Sequence, residues 1–234
     1  MITTLFLCTG LLLMPPHPYE ETILKEGDYQ LEAIRISGQE HGKTLLIFGG
    51  IHGDEPGGHL SAELLRNIHL EKGQLIIIPR VNFPSIMLNR REIHGDMNRK
   101  FTDNRNPNDP EQSIVEKLKE LMAEADIFIN QHDAAGFHRE RKISALYNPQ
   151  KYGQSLIVDT GSLYSPRHGQ TLDLNTIGRQ IVEKVNAKIS NPEHHFCFWN
   201  HNSLSPDTEF LEMKRSATHY AALRFQIPAF GLET

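Results

Sequence analysis

The amino-acid sequence predicts an α/β protein with three layers, in which helices flank a mixed, mostly parallel central sheet. Short apolar runs, typical of buried strands, alternate with segments of helical periodicity. In addition, an apolar run at residues 44–48, a helix-like segment that starts near Pro56 and an apolar run at residues 74–81 follow one another closely. Strand, helix and strand in this order indicate a parallel crossover unit.

The remaining elements are predicted from the same two periodicities. Residues 17–28 are polar and predict an irregular lead-in, and the alternation in Tyr29–Ser37 predicts a half-buried edge strand. Further helices are predicted over residues 109–124, 172–189 and 210–225, and further strands over residues 125–132, 155–159 and 228–233.

Length and composition restrict the class of protein. The 234 residues are enough for a large core in a single α/β domain. The net charge is -5 and the basic residues are scattered, so no nucleic-acid partner is expected. Cys8 and Cys197 are the two cysteines of the chain, which excludes a disulfide framework and a zinc site made of thiolates.

The N-terminal segment, residues 1–16, is set apart from the catalytic domain predicted over residues 17–234. Residues 1–14 are almost wholly apolar but too short to span a bilayer, and no transmembrane span is predicted. The length suits a secretory signal, which would place the protein in the periplasm, although no basic residue precedes the segment. A misassigned start or a buried N-terminal strand is the alternative, and it would leave the protein in the cytoplasm.

Residues 45–58 carry the first half of a candidate metal site. The apolar strand breaks at Gly49-Gly50, and His52 and Glu55 follow in the order H-G-D-E before the helix begins. Open α/β sheets place ligands at the carboxyl ends of their strands, where this imidazole and carboxylate can reach one small cation. The stretch therefore predicts two ligands of a zinc ion.

A third ligand is expected elsewhere, because a catalytic zinc ion needs three protein ligands and two His with one Glu is a recurrent set. The apolar run 125–132 ends in His132, and Gly136 follows shortly afterwards, which repeats the context of His52. A single histidine at a strand end is more often structural. Two such motifs together predict one zinc ion bound by His52, Glu55 and His132.

A long polar loop, residues 82–109, is rich in arginine and asparagine. Its side chains of interest are Asn89, Arg90, Arg91, Asn98, Arg99 and Arg105. Loops of this length without regular structure are often functional. A guanidinium binds a carboxylate through two charge-assisted hydrogen bonds, so the loop is a candidate carboxylate clamp with Asn98-Arg99 as the preferred pair. A solvated basic loop is the alternative.

Together these motifs resemble the zinc carboxypeptidases of the M14 type, including the succinylglutamate desuccinylase and aspartoacylase branch. The resemblance covers about residues 47–234 and is carried by His52-x-x-Glu55, Asn98-Arg99 in G-D-M-N-R-K-F, His132 and a last strand ending at Glu233. Within that group, the run H-D-A-A-G-F-H-R and the ending F-G-L-E-T are most similar to bacterial D,L-carboxypeptidases that trim peptidoglycan peptides and determine helical cell shape.

The resemblance implies a role for each of these residues. His52, Glu55 and His132 would bind zinc, Glu233 would be the general base, and Asn98-Arg99 would bind the terminal carboxylate of the substrate. Arg90 or Arg91 would polarise the scissile carbonyl. The implied reaction is hydrolysis of the C-terminal amide bond of a short peptide, with release of diaminopimelate from a peptidoglycan tripeptide.

Two features depart from the family pattern. The chain ends one residue after Glu233, whereas the family's sheet normally continues, which is consistent with a truncated product or a fragment. The tyrosine that many carboxypeptidases place over the substrate has no clear counterpart, and Tyr220 is the available candidate. Two alternatives therefore stay open: a zinc-dependent deacylase of N-acyl amino acids, and a non-catalytic domain that binds zinc or the stem peptide.

Overall fold

The structure is a computed structural model that describes residues 19–26, 29–134 and 152–234. The N-terminal segment 1–16 and the charged residues 136–142 lie outside the described ranges.

Within these ranges the chain forms ten strands and five helices. The strands are β1 (Tyr19–Glu26), β2 (Tyr29–Ser37), β3 (Glu40–Gly49), β4 (Lys72–Ile78), β5 (Ile127–His132), β6 (Ser155–Val158), β7 (Ser162–Ser165), β8 (Gln170–Asp173), β9 (Cys197–Asn200) and β10 (Ala229–Glu233). The helices are α1 (Pro56–Leu64), α2 (Phe83–Met87), α3 (Gln112–Glu124), α4 (Leu174–Asn186) and α5 (Ala217–Tyr220). Short 3-10 turns occupy Leu65–Asn67, Met97–Arg99, Pro192–His194 and Leu211–Arg215, and a π-helical turn, Ala221–Phe225, follows α5.

Eight strands form the central sheet in the order β1-β2-β4-β3-β5-β10-β6-β9, and β7 and β8 form a separate hairpin. The four strands from β4 to β10 are parallel to one another, as are β6 and β9, whereas the three remaining pairings are antiparallel. This confirms the mixed, mostly parallel sheet. The pairing of β3 with β4 across α1 confirms the predicted crossover unit.

Helices cover both faces of the sheet. On one face, α3 and α5 pack over a core that includes Phe48 and Phe128, whose rings meet edge to face with 4.7 Å between their centroids. On the other face, α1 packs over β3 and β4, and α4 packs over β6. The three-layer prediction is confirmed. No helix among the described residues is both long and apolar enough to cross a bilayer.

The prediction that Tyr29–Ser37 is an edge strand is wrong. Part of the predicted polar lead-in forms β1, which pairs with the outer edge of β2 and places β2 inside the sheet. Glu21 of β1 bonds to Arg35 at 2.5 Å, and Glu20 bonds to Arg66. Charged side chains are common on edge strands because they discourage pairing with other molecules, and here they hide the strand pattern.

The last predicted helix, residues 210–225, is broken at Ser216. This residue has extended backbone (ψ 160°), and its hydroxyl accepts a hydrogen bond from the His219 amide at 3.2 Å. The serine therefore caps α5 and separates it from the preceding 3-10 turn. The Ala217 amide donates to Asn98 Oδ1 at 2.9 Å, so the break also anchors the loop that carries Asn98.

Candidate metal centre and active site

His52 lies on the loop that joins β3 to α1, and its ring is 2% exposed. Close approach to α2 fixes this loop, because a Cβ at Gly53 would lie 2.1 Å from the Ser85 backbone. Glu55 occupies the N-cap position of α1, yet its side chain does not cap the helix. Its carboxylate turns towards His52 instead, with Oε1 at 2.8 Å from Nδ1.

β5 brings His132 to the same point. β3 and β5 are parallel neighbours in the sheet, so both ends lie at one edge and His132 meets the loop that follows β3. His132 Nδ1 lies 2.8 Å from Glu55 Oε2, so the carboxylate bridges the two histidines. Ligand atoms of the three side chains lie within 4.8 Å of one another. The structure thus gathers the three predicted ligands into a candidate metal site.

The other ring nitrogen of His52 is also occupied. Nε2 lies 2.9 Å from Asp96 Oδ1, and Arg91 bonds to both carboxylates, at 2.7 Å to Glu55 and 3.1 Å to Asp96. Burial alone would raise the pKa of Asp96, but its hydrogen bond to His52 and the nearby Arg91 charge hold that pKa well below its usual value. Asp96 therefore fixes the ring orientation of His52 and leaves Nδ1 for a metal ion.

An asparagine amide lies beside the second ring nitrogen of His132, in the way that Asp96 lies beside the second ring nitrogen of His52. His132 Nε2 lies 2.8 Å from the terminal amide of Asn130 and 3.5 Å from that of Asn98. Asn130 Oδ1 is buried without a partner among the described residues. If Nδ1 of His132 binds a metal ion, Nε2 carries the hydrogen, and a half-turn of the Asn130 amide lets the orphan oxygen accept it. The surroundings of both histidines therefore fit a metal bound through Nδ1.

Glu233 stands beside the cluster at the end of β10. In the sheet it is opposite His132 of β5 on one side and Ser155 of β6 on the other. Pairing continues past it, since the Thr234 amide and hydroxyl both donate to the His132 carbonyl, at 3.3 and 3.1 Å. Burial raises the pKa of Glu233 to about 7, with the nearby Glu55 and Asp133 charges adding to the rise and the nearby His132 opposing it. A carboxylate in this range suits proton transfer near neutral pH.

These side chains line one end of a cavity of about 220 Å³. Arg91, Asn98 and Arg99 line it as well, as the resemblance implies for groups that contact the substrate. Asn98 is buried, and the Arg99 guanidinium bonds to the Asn98 carbonyl at 3.0 Å. An anionic substrate group that enters this end therefore meets two guanidinium groups.

The resemblance implies that Arg90 or Arg91 polarises the scissile carbonyl, but Arg90 does not lie where it could do so. Its side chain is exposed and does not line the cavity, and its carbonyl accepts a hydrogen bond from Gly53 at 3.0 Å. Tyr220 is also remote, since its hydroxyl bonds to Asp103 at 3.2 Å. Arg91 is therefore the arginine at the metal cluster, and Tyr220 does not face the cavity.

Sequence reasoning missed several further polar residues that line the cavity. They are Tyr152, Asp159, His201, Ser216 and Thr218. Asp159 and His201 directly follow the short strands β6 and β9. The rule that found His132, a polar residue at the end of an apolar run, would have selected both.

The fold and this site define the class of the protein. A mixed α/β sheet that presents His-x-x-Glu and a second histidine at neighbouring strand ends, beside a further carboxylate, is the arrangement of a carboxypeptidase-type metallohydrolase domain. A family model described as carboxypeptidase controlling helical cell shape, catalytic, matches residues 28–233. The chain belongs to this family of carboxypeptidases.

Solved structures agree with this assignment. The apo form of cell shape determinant protein Csd4 from Helicobacter pylori is 29% identical to the chain, with a TM-score of 0.73 over 87% of this chain and 49% of that chain. The mDAP-bound form of Helicobacter pylori Csd4, a D,L-carboxypeptidase, is 31% identical, with a TM-score of 0.70 over 82% of this chain and 45% of that chain. The chain thus spans about half the length of Csd4.

A more distant likeness supports the fold alone. An aspartoacylase family protein from Mesorhizobium loti is 17% identical, with a TM-score of 0.63 over 94% of this chain and 62% of that chain. No curated protein sequence matches the chain.

Proposed function

We propose that the protein is a zinc-dependent D,L-carboxypeptidase that releases diaminopimelate from a peptidoglycan tripeptide. The observation that carries the proposal is the convergence of three metal ligands, a carboxylate and two arginines at one end of a single cavity. Csd4, with which the chain shares its family, has been crystallised with a tripeptide and with mDAP. These ligands suggest the substrate class for this chain.

His52, Glu55 and His132 would hold the zinc ion. The donor set of two imidazoles and one carboxylate is the one found in zinc peptidases, and it leaves a further coordination position open. When bound, zinc supplies a Lewis acid for the substrate carbonyl and lowers the pKa of its water to near 7.

Glu233 would move the proton. Its carboxylate is placed at the end of β10 beside His132, where it accepts a proton from the attacking water and donates it to the leaving amine nitrogen. The sheet pairing on both sides of Glu233 holds the carboxylate in place before the substrate arrives.

The arginines would orient the substrate and stabilise charge. Arg99 and Asn98 would bind the free carboxylate next to the scissile bond. Arg91, whose guanidinium contacts both Glu55 and Asp96, would stabilise the negative charge that develops on the carbonyl oxygen.

The proposed location is the periplasm. A tripeptide of the cell wall is found there, and the apolar residues 1–14 have the length of a secretory signal. Mass determination of the protein recovered from the cell envelope would show whether this segment is removed.

The test is hydrolysis of the tripeptide L-Ala-γ-D-Glu-diaminopimelate by the purified, zinc-loaded protein, followed by mass spectrometry. Release of diaminopimelate that a chelator abolishes is the expected result. Glu233→Gln should bind zinc with unchanged stoichiometry and lose about 10²- to 10⁴-fold in rate, the usual contribution of a general base.

Two results would overturn the proposal. Release of the acyl group from N-acyl amino acids without cleavage of the tripeptide would favour the deacylase. Zinc binding without turnover of either substrate would favour the non-catalytic binding domain.

A further inference from the structure

Lys100 directly follows the Asn98-Arg99 clamp, but its side chain turns away from the cavity. Asn98 and Arg99 line the cavity, whereas Lys100 does not. The Lys100 side chain is 11% exposed, so most of its aliphatic stem and its ammonium group lie inside the protein. An ammonium group is costly to bury unless its charge and its hydrogens find partners. The burial of Lys100 therefore depends on specific contacts.

Three acceptors surround the Lys100 ammonium group. Nζ donates to Glu111 Oε2 at 2.6 Å, to Asp109 Oδ1 at 2.9 Å and to the His94 carbonyl at 2.8 Å. These three bonds use all three ammonium hydrogens. Because His94 and Lys100 lie on either side of the clamp, the bond between them closes residues 94–100 into a loop that is held at both ends.

Glu111 is the fully buried partner of Lys100. Its second carboxylate oxygen, Oε1, accepts a hydrogen bond from the Asn82 side-chain amide at 3.2 Å. Asn82 is also fully buried, and its backbone amide donates to the Gly50 carbonyl at 2.9 Å. Gly50 lies two residues before His52. Glu111 therefore connects the segment of the clamp to the loop that carries the first two candidate metal ligands.

The clamp lies on the short 3-10 turn Met97–Arg99, and each end of this turn has its own anchor. At the first end, Asp96 Oδ1 accepts a hydrogen bond from the Asn98 amide at 2.9 Å and also contacts His52. At the second end, Lys100 contributes the buried ion pair. The first anchor contacts a candidate metal ligand and the second does not. A change at Lys100 can therefore alter the clamp without altering the metal site.

A buried ion pair is not the most stabilising way to fill this space. Apolar residues of similar volume are often as good or better, because the charged groups lose their hydration on burial. The ion pair instead supplies direction, since short charge-assisted hydrogen bonds fix the positions of both groups. We propose that Lys100 and Glu111 are positioning residues, whose ion pair sets the place of the Asn98-Arg99 clamp relative to the candidate metal site. The inference rests on the proposed function, in which the clamp binds the free carboxylate of the substrate.

The test is calorimetric binding of two ligands to zinc-loaded full chains that carry Glu233→Gln, so that bound peptide is not hydrolysed. One ligand is the tripeptide L-Ala-γ-D-Glu-diaminopimelate, and the other has the carboxylate next to the scissile bond replaced by a carboxamide. With Lys100 intact, the carboxylate should bind about 10- to 100-fold more tightly, the usual effect of a hydrogen-bonded charge. Lys100→Met should lower this preference to about twofold, because the Arg99 guanidinium is no longer held in place. Zinc affinity should stay unchanged.

A second variant separates positioning from general destabilisation. Lys100→Met leaves the Glu111 carboxylate buried without its cation, which destabilises a fold. Lys100→Met/Glu111→Gln removes both charges, and the glutamine oxygen can still accept the hydrogen bond from Asn82. This double variant should show the same loss of carboxylate preference. Lys100→Arg returns a cation to the buried carboxylates and should restore most of the preference.

Lys117→Met is the matched control. It makes the same chemical change at a partly exposed lysine of α3, outside the cavity, whose ion pair with Glu120 has a length of 2.8 Å. Both ligand affinities should stay unchanged in this variant.

Full carboxylate preference in the double variant would overturn the inference. So would an equal loss of affinity for both ligands, since the defect would then not concern the clamp. A parent chain that binds the two ligands equally, or binds neither, would show that the clamp does not bind this carboxylate and would also overturn it. Hydrolysis of the tripeptide by the natural chain is a separate measurement, so failure of the proposed function is distinguishable from failure of the inference.

Discussion

Two parts of the cavity, the metal end at Glu55 and the part lined by Asp159, differ in how their charges are balanced. At the metal end, Glu55 and Asp96 each contact an imidazole and the Arg91 guanidinium. In the other part, Asp159 contacts the neutral Ser203, and His201 Nε2 has no partner in the described part of the chain. Ion pairs hold Glu55 and Asp96 in place at the metal end, whereas Asp159 is held by a neutral hydroxyl alone.

The largest effect that this comparison predicts is loss of the metal in Glu55→Gln. Glu55 is one of the three proposed ligands and bridges the other two, so its replacement should abolish zinc binding at neutral pH. Zinc per chain, measured by plasma mass spectrometry after dialysis, reports the result. Glu183→Gln on the exposed side of α4 is the matched control. Retention of one zinc ion with unchanged affinity would show that Glu55 is not a ligand.

A smaller loss is expected when Asp96, which is not one of the three proposed ligands, is replaced. Asp96→Ala removes the partner of His52 Nε2 and of Arg91, so zinc affinity should fall about 10- to 100-fold. Competition with a chromogenic chelator measures this affinity. An unaltered zinc affinity would contradict the role given to Asp96.

The opposite pattern is expected when Gly231 is replaced: ligand affinity should fall while zinc affinity stays unchanged. A leucine there would fill part of the cavity, which Gly231 lines, and lower diaminopimelate affinity about tenfold, an ordinary cost of overpacking. Gly231→Ala is the control, since its Cβ makes only an ordinary contact with Ile157. If Gly231→Leu binds diaminopimelate as well as the natural chain does, the ligand does not pass over Gly231.

The smallest predicted effect concerns stability at the metal end. In the chelator-treated protein the pKa of Glu233 is raised to about 7, from 4.5 in the unfolded chain, because burial disfavours the charged form. The folded state therefore binds the proton more tightly, and stability falls as pH rises from 4.5 to 7. The change should be about 1 kcal/mol once the partial exposure of Glu233 is considered. Denaturant unfolding at several pH values measures it.

Glu233→Gln is the matched variant for this measurement. The glutamine does not titrate, so the fall in stability between pH 4.5 and 7 should be reduced in the variant. An identical pH dependence in both proteins would assign the effect to other groups.

The sequence was most informative where side chains follow parallel strands. His52 and His132 were found because parallel neighbours β3 and β5 end at one edge, and Glu233 was found through the family resemblance. The sequence alone could not show whether Arg90 or Arg91 lies at the candidate metal site, since that depends on which side of the loop faces the site. The structure places Arg91 at the candidate metal site, where it bonds to Glu55 and Asp96.

Asp159 follows an apolar run, but the sequence could not show that it shares a cavity with His132, for a topological reason. β6 runs antiparallel to β10, so Asp159 follows its strand at the opposite edge from His132. Motif spacing gives no sign that the two residues share a face, because that depends on the register between strands. The charged strand β1 was missed for a different reason, since its side chains mask the apolar alternation that identifies strands.

The antiparallel pairing of β6 with β10 has a consequence for substrate length. The distance between Glu233 and Asp159 is set by the number of residues after Ser155 and by the rise per residue of the strand. It does not depend on a flexible loop. Shifting Asp159 by one residue would turn it to the opposite face, and a shift of two residues would change the distance by roughly 7 Å. The length of the group that fits between Glu233 and Asp159 in this chain would therefore change only in whole steps of the strand.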